Sequence, residues 1–412
     1  MPEQVVQRRS RGFICVNAHP EGCRRNVERQ VKAIVAAGAW PRKGPASVVV
    51  VGASTGYGLA SRIAAAWGFG AKTLGVFLER PPEGNKTATA GFYNTAAFHE
   101  LTRKDGLFAA SLNMDAFSDE AKRSAVESIR KDMGKVDLVI YSLAAPKRTD
   151  PRTGESHNSV LKPVGQAYTN KTVELDSEKV AEVTIPPASE QEIADTVAVM
   201  GGEDWQQWME TLSAEALLAE NARTIAYSYI GPEMTWPIYR DGTIGMAKKH
   251  LEETAHRLDA MLKSKYGGEA RIAVCKAIVT QASAAIPVVP LYMSILFRVM
   301  KQKGLEEGAI EQMRRLFFEY LADGAKPVFD DAGRIRLDNL EMRRDVQEEI
   351  ATLWPRISTE NLRELSDFAG FQRAFRSLFG FEVEGVDYSK PVETLTSWQG
   401  PKSLSLEKEL GN

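Results

Sequence analysis

Cysteine, net charge and long apolar runs are all scarce in this sequence of 412 residues. Only three cysteines are present, too few for a disulfide framework and in keeping with a reducing compartment. A formal net charge of -2 argues against nucleic acid as the main partner. The N-terminus lacks the apolar run of a signal peptide, and the most apolar long stretch, 286–300, is broken by two prolines and an arginine. We therefore expect a cytoplasmic protein without a membrane span.

A dinucleotide site is predicted in the first half of the chain. Residues 47–51 read SVVVV, which is typical of a parallel strand buried on both faces, and GASTGYG follows directly. Glycines at Gly52, Gly56 and Gly58 let the backbone approach a pyrophosphate, and the N-terminus of the following helix offers it unpaired N–H groups. Strand, glycine turn and helix in this order predict a dinucleotide cofactor.

Acidic and small residues follow the next predicted strands. The strand at 73–78 ends in Glu79, where a carboxylate can accept from the adenosine ribose and repel a 2′-phosphate, so NADH is predicted rather than NADPH. Asp115 follows a third strand and can accept from the adenine amino group. The fourth strand leads to SLAA at 142–145, which leaves room for the nicotinamide ribose. Each acid alone could equally be a helix cap or the end of a solvated loop.

Alternation of strands and helices predicts an α/β fold with a Rossmann-type, doubly wound parallel sheet. The stretch after residue 145 is rich in Pro, Thr, Gly and Lys, and we interpret it as a hairpin. A helix near 203–220 is expected to follow it. The chain is expected to form one domain, 1–412. Its parts are a Rossmann core at 46–145 and 222–300, a hairpin/helix insertion at 146–221 and a helical C-terminal cover at 301–412.

The stretch YRDGTIGMAK at 239–248 places a tyrosine nine positions ahead of a lysine. On one continuous helix this separation turns through about 900° and leaves the two side chains on opposite faces. The Asp-Gly-Thr in between is typical of a helix start, so Tyr239 is expected in the preceding loop. Lys248 occupies the apolar stripe of that helix, whereas Lys249 points away. A lysine in such a stripe often packs its aliphatic chain on the core and keeps its ammonium group in solvent. The alternative is that the Lys248 ammonium lies in an active site beside the Tyr239 phenol.

The chain resembles the trans-2-enoyl-CoA reductase and NADH-dependent enoyl-acyl-carrier-protein reductase family, the long branch of the short-chain dehydrogenase/reductase superfamily. None of its eleven tyrosines has lysine at plus four, the spacing of ordinary alcohol and ketone reductases, or at plus seven, the spacing of common enoyl reductases. Tyr239 and Lys248 instead match the spacing of the long branch. The matching stretches span nearly the whole chain and are RGFICVNAHPEGC, VVVGASTGYGLASRIAAAWGFGA, FYNTAAF, SLAAP, YSYIGPEMTWPIYRDGTIGMAK, KAIVTQASAAIPVVPLY and NLRELSDFAGFQRAFRSLFGFEVEGVDY.

This resemblance implies NADH-dependent reduction of the trans-2 double bond of enoyl thioesters in fatty acid synthesis, by a monomer. The substrate would be enoyl-CoA or an enoyl group on acyl carrier protein, which is then also a partner. Tyr239 would donate the proton, Lys248 would hold the cofactor and Tyr229 would contact the substrate. The implied NADH contacts are Gly52, Ala53, Ser54, Thr55, Gly56, Tyr57, Leu78, Glu79, Asp115, Ala116, Leu143, Ala144, Lys248, Ile278, Val279 and Thr280. Contacts from the loop after Glu79 are left open.

Two other functions share parts of this pattern. One is an NAD-dependent carbonyl or alcohol oxidoreductase, which the missing plus-four lysine disfavours. The other is a dinucleotide sensor without turnover, which would keep the glycine turn and Glu79 but has no need of Tyr239 or an inward Lys248. The apolar stretch at 284–297 could line an acyl channel or form a buried core helix.

Cysteine, histidine and arginine near the N-terminus raise two smaller questions. Cys15, His19 and Cys23 have a metal-like spacing, but no second ligand pair follows, and no metal is predicted. A group of arginines could meet CoA phosphates or an acidic carrier protein, or could simply form an exposed basic face. These arginines are Arg8, Arg9, Arg11, Arg24 and Arg25.

Overall fold

The computed structural model describes residues 3–38 and 42–395. The described strands are β1 (Ser10–Arg11), β2 (Ile14–Cys15), β3 (Ser47–Val51), β4 (Lys72–Phe77), β5 (Ala109–Asn113), β6 (Val136–Tyr141), β7 (Lys147–Thr149), β8 (Ser156–Asn158), β9 (Tyr168–Val173), β10 (Val180–Ile185), β11 (Leu218–Ser228), β12 (Glu269–Val274) and β13 (Ile335–Arg336). The described α-helices are α1 (Pro20–Ala36), α2 (Gly56–Phe69), α3 (Ala90–Lys104), α4 (Asp119–Ser128), α5 (Glu190–Met200), α6 (Glu203–Ala214), α7 (Thr243–Tyr266), α8 (Gln281–Ala284), α9 (Val289–Gln302), α10 (Ala309–Arg315), α11 (Arg344–Leu353), α12 (Leu362–Leu365) and α13 (Phe368–Ser377). Two π-helical turns, Ile129–Met133 and Leu316–Leu321, continue α4 and α10.

Seven strands form one parallel sheet in the order β13-β12-β11-β6-β3-β4-β5. All five residues of the valine-rich β3 are buried, as expected of a strand covered on both faces. At its carboxyl end Val51 lies opposite Tyr141 of β6 on one side and Val76 of β4 on the other. The direction of winding reverses between β3 and β6, which confirms the predicted doubly wound sheet and sets a ligand crevice at this edge.

Three apolar cores surround the sheet. On one face α1, α2, α3 and α10 bury side chains such as Trp67, Phe98 and Phe317. On the other face α4, α6 and α7 bury Trp205, Trp208 and the stripe of α7. The third core joins α9, α11, α13 and the β9–β10 hairpin beside the strands. The first core also shows that α1, which precedes the predicted start of the Rossmann core at residue 46, packs on α2 and α3.

The insertion between β6 and β11 contains more strands and helices than predicted. It contains two hairpins, β7–β8 and β9–β10, and two helices, α5 and α6, where one hairpin and one helix were expected. The predicted helix at 203–220 was also too long. Helix α6 ends at Ala214 because Ala216 takes a φ of 55°. The Val136 N–H then donates to the Leu217 carbonyl, which draws the chain into β11.

The C-terminal third covers the sheet with helices, but not with helices alone. Helix α10 packs on α2, while α11 and α13 pack on α9. Strand β13 adds an edge strand beside β12, with Ala273 opposite Ile335, which the sequence analysis missed. Residues 396–412 of the predicted cover lie outside the described residues. In the described part of the chain, no helix combines the length and the apolar character needed to cross a membrane.

Candidate active site

The glycine turn lies at the switch point between β3 and β6. Gly52 has a φ of 85°, and a Cβ there would stand 2.5 Å from the Ser142 carbonyl oxygen of the next loop. A Cβ at Gly58 would stand 1.8 Å from the Gly52 oxygen. At Gly56, where α2 begins, no atom lies within 4 Å of a Cβ position. Because the N-cap Thr55 makes no side-chain cap bond, the first N–H groups of α2 are free for an anion, so these residues fit a dinucleotide pyrophosphate.

Glu79 is held at the end of β4, beside this turn. Its Oε1 accepts from the Ser54 hydroxyl at 2.6 Å, and its backbone N–H donates to Asn113 Oδ1 at 2.7 Å. A Cβ at Gly91 would stand 1.9 Å from Glu79 Oε1, so α3 approaches the carboxylate only because residue 91 is glycine. Burial raises the pKa of Glu79, and hydrogen bonds from the Ser54 and Thr89 hydroxyls oppose that rise. The carboxylate is thus fixed next to the glycine turn, where the sequence predicted a ribose contact.

The other predicted dinucleotide contacts lie along the same edge of the sheet. Leu78 and Asp115 are exposed after β4 and β5, and Ala53 and Ala116 are buried beside them. Leu143 and Ala144 follow β6.

Ile278, Val279 and Thr280 follow β12, and the Thr280 hydroxyl accepts from the Ser283 N–H at 2.9 Å as the cap of α8. Tyr57 differs from the others because its hydroxyl is already occupied. It donates to the Lys276 carbonyl at 2.6 Å and accepts from Gln312 at 2.7 Å, which ties the glycine turn to the end of β12.

Tyr239 lies in the loop between β11 and α7, as predicted. Its ring meets that of Tyr229 at 5.0 Å between centroids, with the planes at 80°. No group in the described part of the chain hydrogen-bonds the Tyr239 hydroxyl. Burial, with the Glu341 carboxylate adding to it, raises the pKa of Tyr239 well above its ordinary value. The phenol is therefore protonated at neutral pH and free to donate.

Lys248 points inward from α7, as predicted, and Lys249 is exposed. The Lys248 ammonium donates to the Tyr227 carbonyl at 3.1 Å, one residue before the end of β11. Burial lowers the pKa of Lys248 to about 8. The helix itself begins at Thr243 after Gly242, whose backbone takes the N-cap position. Tyr239 and Lys248 are thus brought to the same strand end from either side of a helix start.

A buried carboxylate that the sequence analysis missed lies behind the two tyrosines. Glu341 has no exposed surface, and its Oε1 accepts from the Tyr229 hydroxyl at 3.0 Å. Burial raises the pKa of Glu341. In the sequence, residue 341 sits in the charged stretch LDNLEMRRD, which looks like a solvated loop, so no local pattern marked it.

Cys15, His19, Arg24 and Arg25 near the N-terminus have partners close by. Cys15 donates to the Asn17 carbonyl, and His19 Nδ1 accepts from the Gly22 N–H as the cap of α1. Within residues 3–38 and 42–395, no group of three or more His, Cys, Asp or Glu side chains is arranged to hold a metal ion. Arg24 pairs with Glu28 and Glu100, and Arg25 pairs with Glu21, so acidic neighbours offset the charge of these two arginines.

A parallel sheet with a glycine turn at its switch point, and a tyrosine and a lysine at a neighbouring strand end, defines a dinucleotide-dependent oxidoreductase. Family models divide the chain accordingly. Residues 86–322 match the trans-2-enoyl-CoA reductase catalytic region, and residues 5–84 match the NAD(P)H binding domain of trans-2-enoyl-CoA reductase. Residues 329–392 match a model described as the enoyl reductase FAD binding domain. The chain belongs to the trans-2-enoyl-CoA reductase family.

Relatives and solved structures agree with this assignment. The NADH-dependent enoyl-acyl-carrier-protein reductase of Opitutus terrae is 55% identical over 94% of this chain and 98% of its own length. The trans-2-enoyl-CoA reductase of Euglena gracilis is 54% identical over 95% of this chain and 72% of its own length. The crystal structure of the Clostridium acetobutulicum trans-2-enoyl-CoA reductase in complex with NADH has a TM-score of 0.92 and 43% identity, covering 95% of this chain and 98% of that one. That of the Treponema denticola trans-2-enoyl-CoA reductase in complex with NAD has a TM-score of 0.90 and 47% identity, covering 96% of this chain and 100% of that one.

The segment whose family model names FAD does not fit that cofactor. A Rossmann-type site binds the dinucleotide phosphates with a strand, a glycine-rich turn and a helix. The described strand of this segment, β13, has two residues, and the loop 337–343 that follows contains no glycine. Phe368 and Phe371 of α13 are instead buried in the core shared with α9. No step of the reaction is assigned to a flavin.

Proposed function

We propose that the protein uses NADH to reduce the trans-2 double bond of enoyl thioesters to the saturated acyl thioester. The observation that carries this proposal is the convergence of Tyr239 and Lys248 on the end of β11, beside the crevice of the glycine turn. The names of the relatives, which include both enoyl-acyl-carrier-protein and enoyl-CoA reductases, support the substrate class. The thioester is common to both carriers, so either enoyl-CoA or enoyl-ACP is a substrate of the proposed reaction.

Tyr239 is the proposed proton donor. Bound NADH supplies a hydride to the β-carbon, which leaves negative charge on the thioester oxygen. A donor must meet that oxygen as its charge develops. The Tyr239 hydroxyl has its proton at neutral pH, because burial raises its pKa, and it has no other partner among the described residues. Tyr229, packed edge-on against it, forms a wall of the same site and is the proposed substrate contact.

Lys248 is the proposed anchor of the cofactor. With a pKa lowered to about 8 by burial, it is still mostly an ammonium at neutral pH. An ammonium has three donors, and the Tyr227 carbonyl accepts one of them, so two remain for ribose hydroxyls. Its positive charge also favours the ionised phenol that Tyr239 becomes after donating. The proposed cofactor contacts are otherwise those at the edge of β3, β4, β5, β6 and β12 described above.

Glu79 is proposed to select NADH over NADPH, and replacing it by glutamine tests this. The glutamine side chain would keep an acceptor for the Ser54 hydroxyl but remove the charge that repels a 2′-phosphate. We expect the ratio of kcat/KM for NADH to that for NADPH to fall by about tenfold or more, since like charges in contact cost several kcal/mol. Glu83→Gln is a matched control, because Glu83 is exposed in the next loop and pairs with Lys86. A ratio unchanged in Glu79→Gln would contradict the role.

The proposed reaction is tested by NADH consumption with a short trans-2-enoyl-CoA, with the same enoyl group on acyl carrier protein, and with a panel of ketones. Loss of NADH with an enoyl thioester and not with ketones is the expected result. Turnover of ketones alone would favour a carbonyl reductase. NADH binding without any turnover would favour a dinucleotide sensor. The proposal includes a cytoplasmic monomer, and light scattering of the purified protein tests the oligomeric state.

A further inference from the structure

Glu341 is a fully buried carboxylate without an ion pair among the described residues. It lies in the loop between β13 and α11, far from the glycine turn in sequence. Its Oε1 accepts from the hydroxyls of Tyr229 at 3.0 Å and Tyr292 at 2.7 Å, and its Oε2 accepts from the Ala277 N–H at 2.7 Å. A buried charge is costly unless hydrogen bonds replace its hydration. Three donors from three separate elements do so here.

Those three donors come from three elements, two of which also carry proposed site residues. Tyr229 follows β11, Tyr292 belongs to α9, and Ala277 directly precedes Ile278–Thr280. One carboxylate therefore links the loop of Tyr229, the loop of the implied NADH contacts Ile278–Thr280 and the apolar helix α9. Gln347 of α11 strengthens the arrangement, because its amide donates both to the Tyr292 hydroxyl at 3.2 Å and to the Glu341 carbonyl at 2.7 Å.

The arrangement reaches Tyr239 through the ring of Tyr229. Because Glu341 holds the Tyr229 hydroxyl, the far end of that side chain is fixed, and the Tyr239 ring packs edge-on against the Tyr229 ring at 5.0 Å between centroids. The turn between the two tyrosines is equally tight. Gly231 has a φ of 71°, and a Cβ there would stand 2.8 Å from the Tyr229 hydroxyl oxygen. A shift of the Tyr229 ring would therefore displace Tyr239.

We propose that Glu341 is a positioning residue that sets Tyr229 against Tyr239 and ties this pair to the loop Ile278–Thr280. The inference rests on the proposed enoyl reduction and assigns part of its geometry to the C-terminal segment. Glu341 does not touch the reacting atoms. It acts through two neighbours, the Tyr229 hydroxyl and the Ala277 N–H.

The charge of Glu341 has a second consequence at the same place. Among the described residues, five titratable groups on neighbouring elements interact with the carboxylate, namely Tyr57, Tyr229, Tyr239, Tyr292 and Lys276, and Asp338 in its own loop also acts on Tyr292. The carboxylate raises the pKa of Tyr239, in the same direction as burial does. The carboxylate therefore helps to keep the Tyr239 phenol protonated.

The decisive variant is Glu341→Gln, with Asp338→Asn as its matched control. Asp338 is another buried carboxylate of this loop, but it pairs with Arg336 and makes no bond to the tyrosines. In Glu341→Gln we expect kcat to fall by about tenfold to a hundredfold, the range that a small misplacement of reacting groups produces. The KM for the thioester and the fluorescence-measured Kd of NADH should stay within about twofold, because the affected interaction belongs to the transition state. Asp338→Asn should lower the melting temperature without this loss of kcat.

A double-mutant cycle distinguishes positioning from general destabilisation. If Glu341 acts through Tyr229, Glu341→Gln costs much less kcat when Tyr229 is already phenylalanine. A wild-type kcat in Glu341→Gln would overturn the inference, as would additive effects in the cycle. If Glu341→Gln does not fold, Tyr292→Phe removes one bond to the same oxygen and must still lower kcat at constant NADH affinity. An inactive wild-type protein would instead refute the proposed function.

Discussion

Replacing Tyr239 by phenylalanine is expected to lower kcat for enoyl thioester reduction by about a hundredfold to a thousandfold, the usual effect of removing one donor to a developing oxyanion. The substitution removes one oxygen atom that has no partner among the described residues, so the fold loses no hydrogen bond. The ring remains to pack against Tyr229. NADH affinity, measured by fluorescence, should therefore be nearly unchanged, and the loss should appear in kcat at saturating substrate.

Tyr320→Phe is the matched control for this loss. Tyr320 lies in the π-helical turn after α10, beside Arg223 of β11 and Glu269 at the amino end of β12. The same chemical change at the opposite edge of the sheet should leave kcat at its wild-type value. Turnover that survives in Tyr239→Phe would refute its assignment as the proton donor and would direct attention to Tyr229.

Local patterns predicted the parts of the site that are close in sequence. The valine run and glycine turn at 47–58 form strand, turn and helix because each residue type favours that local structure and its burial. The predicted fourth strand is β6, which ends at Tyr141 directly before SLAA, as expected. The relative position of Tyr239 and Lys248 could also be predicted from the sequence. A helix start separates the two residues, and the direction of Lys248 follows from helix geometry.

Missed features fall into two kinds. Helix α5 has a local signature that was overlooked, a capping box in which Ser189 and Glu192 bond reciprocally. Glu341 had none. Its burial depends on Tyr229, Tyr292 and Ala277, which are 112, 49 and 64 positions away. Periodicity reports which face of one element is apolar and cannot report that three distant donors enclose one carboxylate. Strand β13 was missed for a similar reason, because two residues are too few to show alternation.

Replacing Lys248 by methionine is expected to reduce kcat/KM by at least about a hundredfold and to weaken NADH binding, since the change removes both the proposed ribose donors and a charge near the proton donor. The methionine side chain is similar in length to that of lysine and carries no charged group that must be hydrated. Because burial disfavours the ammonium enough to lower the pKa of Lys248 to about 8, its removal should not reduce the melting temperature. A stable, inactive variant is therefore expected.

The pH dependence of kcat/KM provides a second test of the role of Lys248. The ammonium is present below its pKa and is lost as the pH rises through about 8, so wild-type kcat/KM should decline above that pH. This decline should be absent from the residual activity of Lys248→Met. Lys249→Met is the matched control, because Lys249 is the next residue of α7 but is exposed, and it should retain both the wild-type rate and the alkaline decline. If both variants behaved alike, the inward direction of Lys248 would have no part in the reaction, and the cofactor would be held by the glycine turn and Glu79 alone.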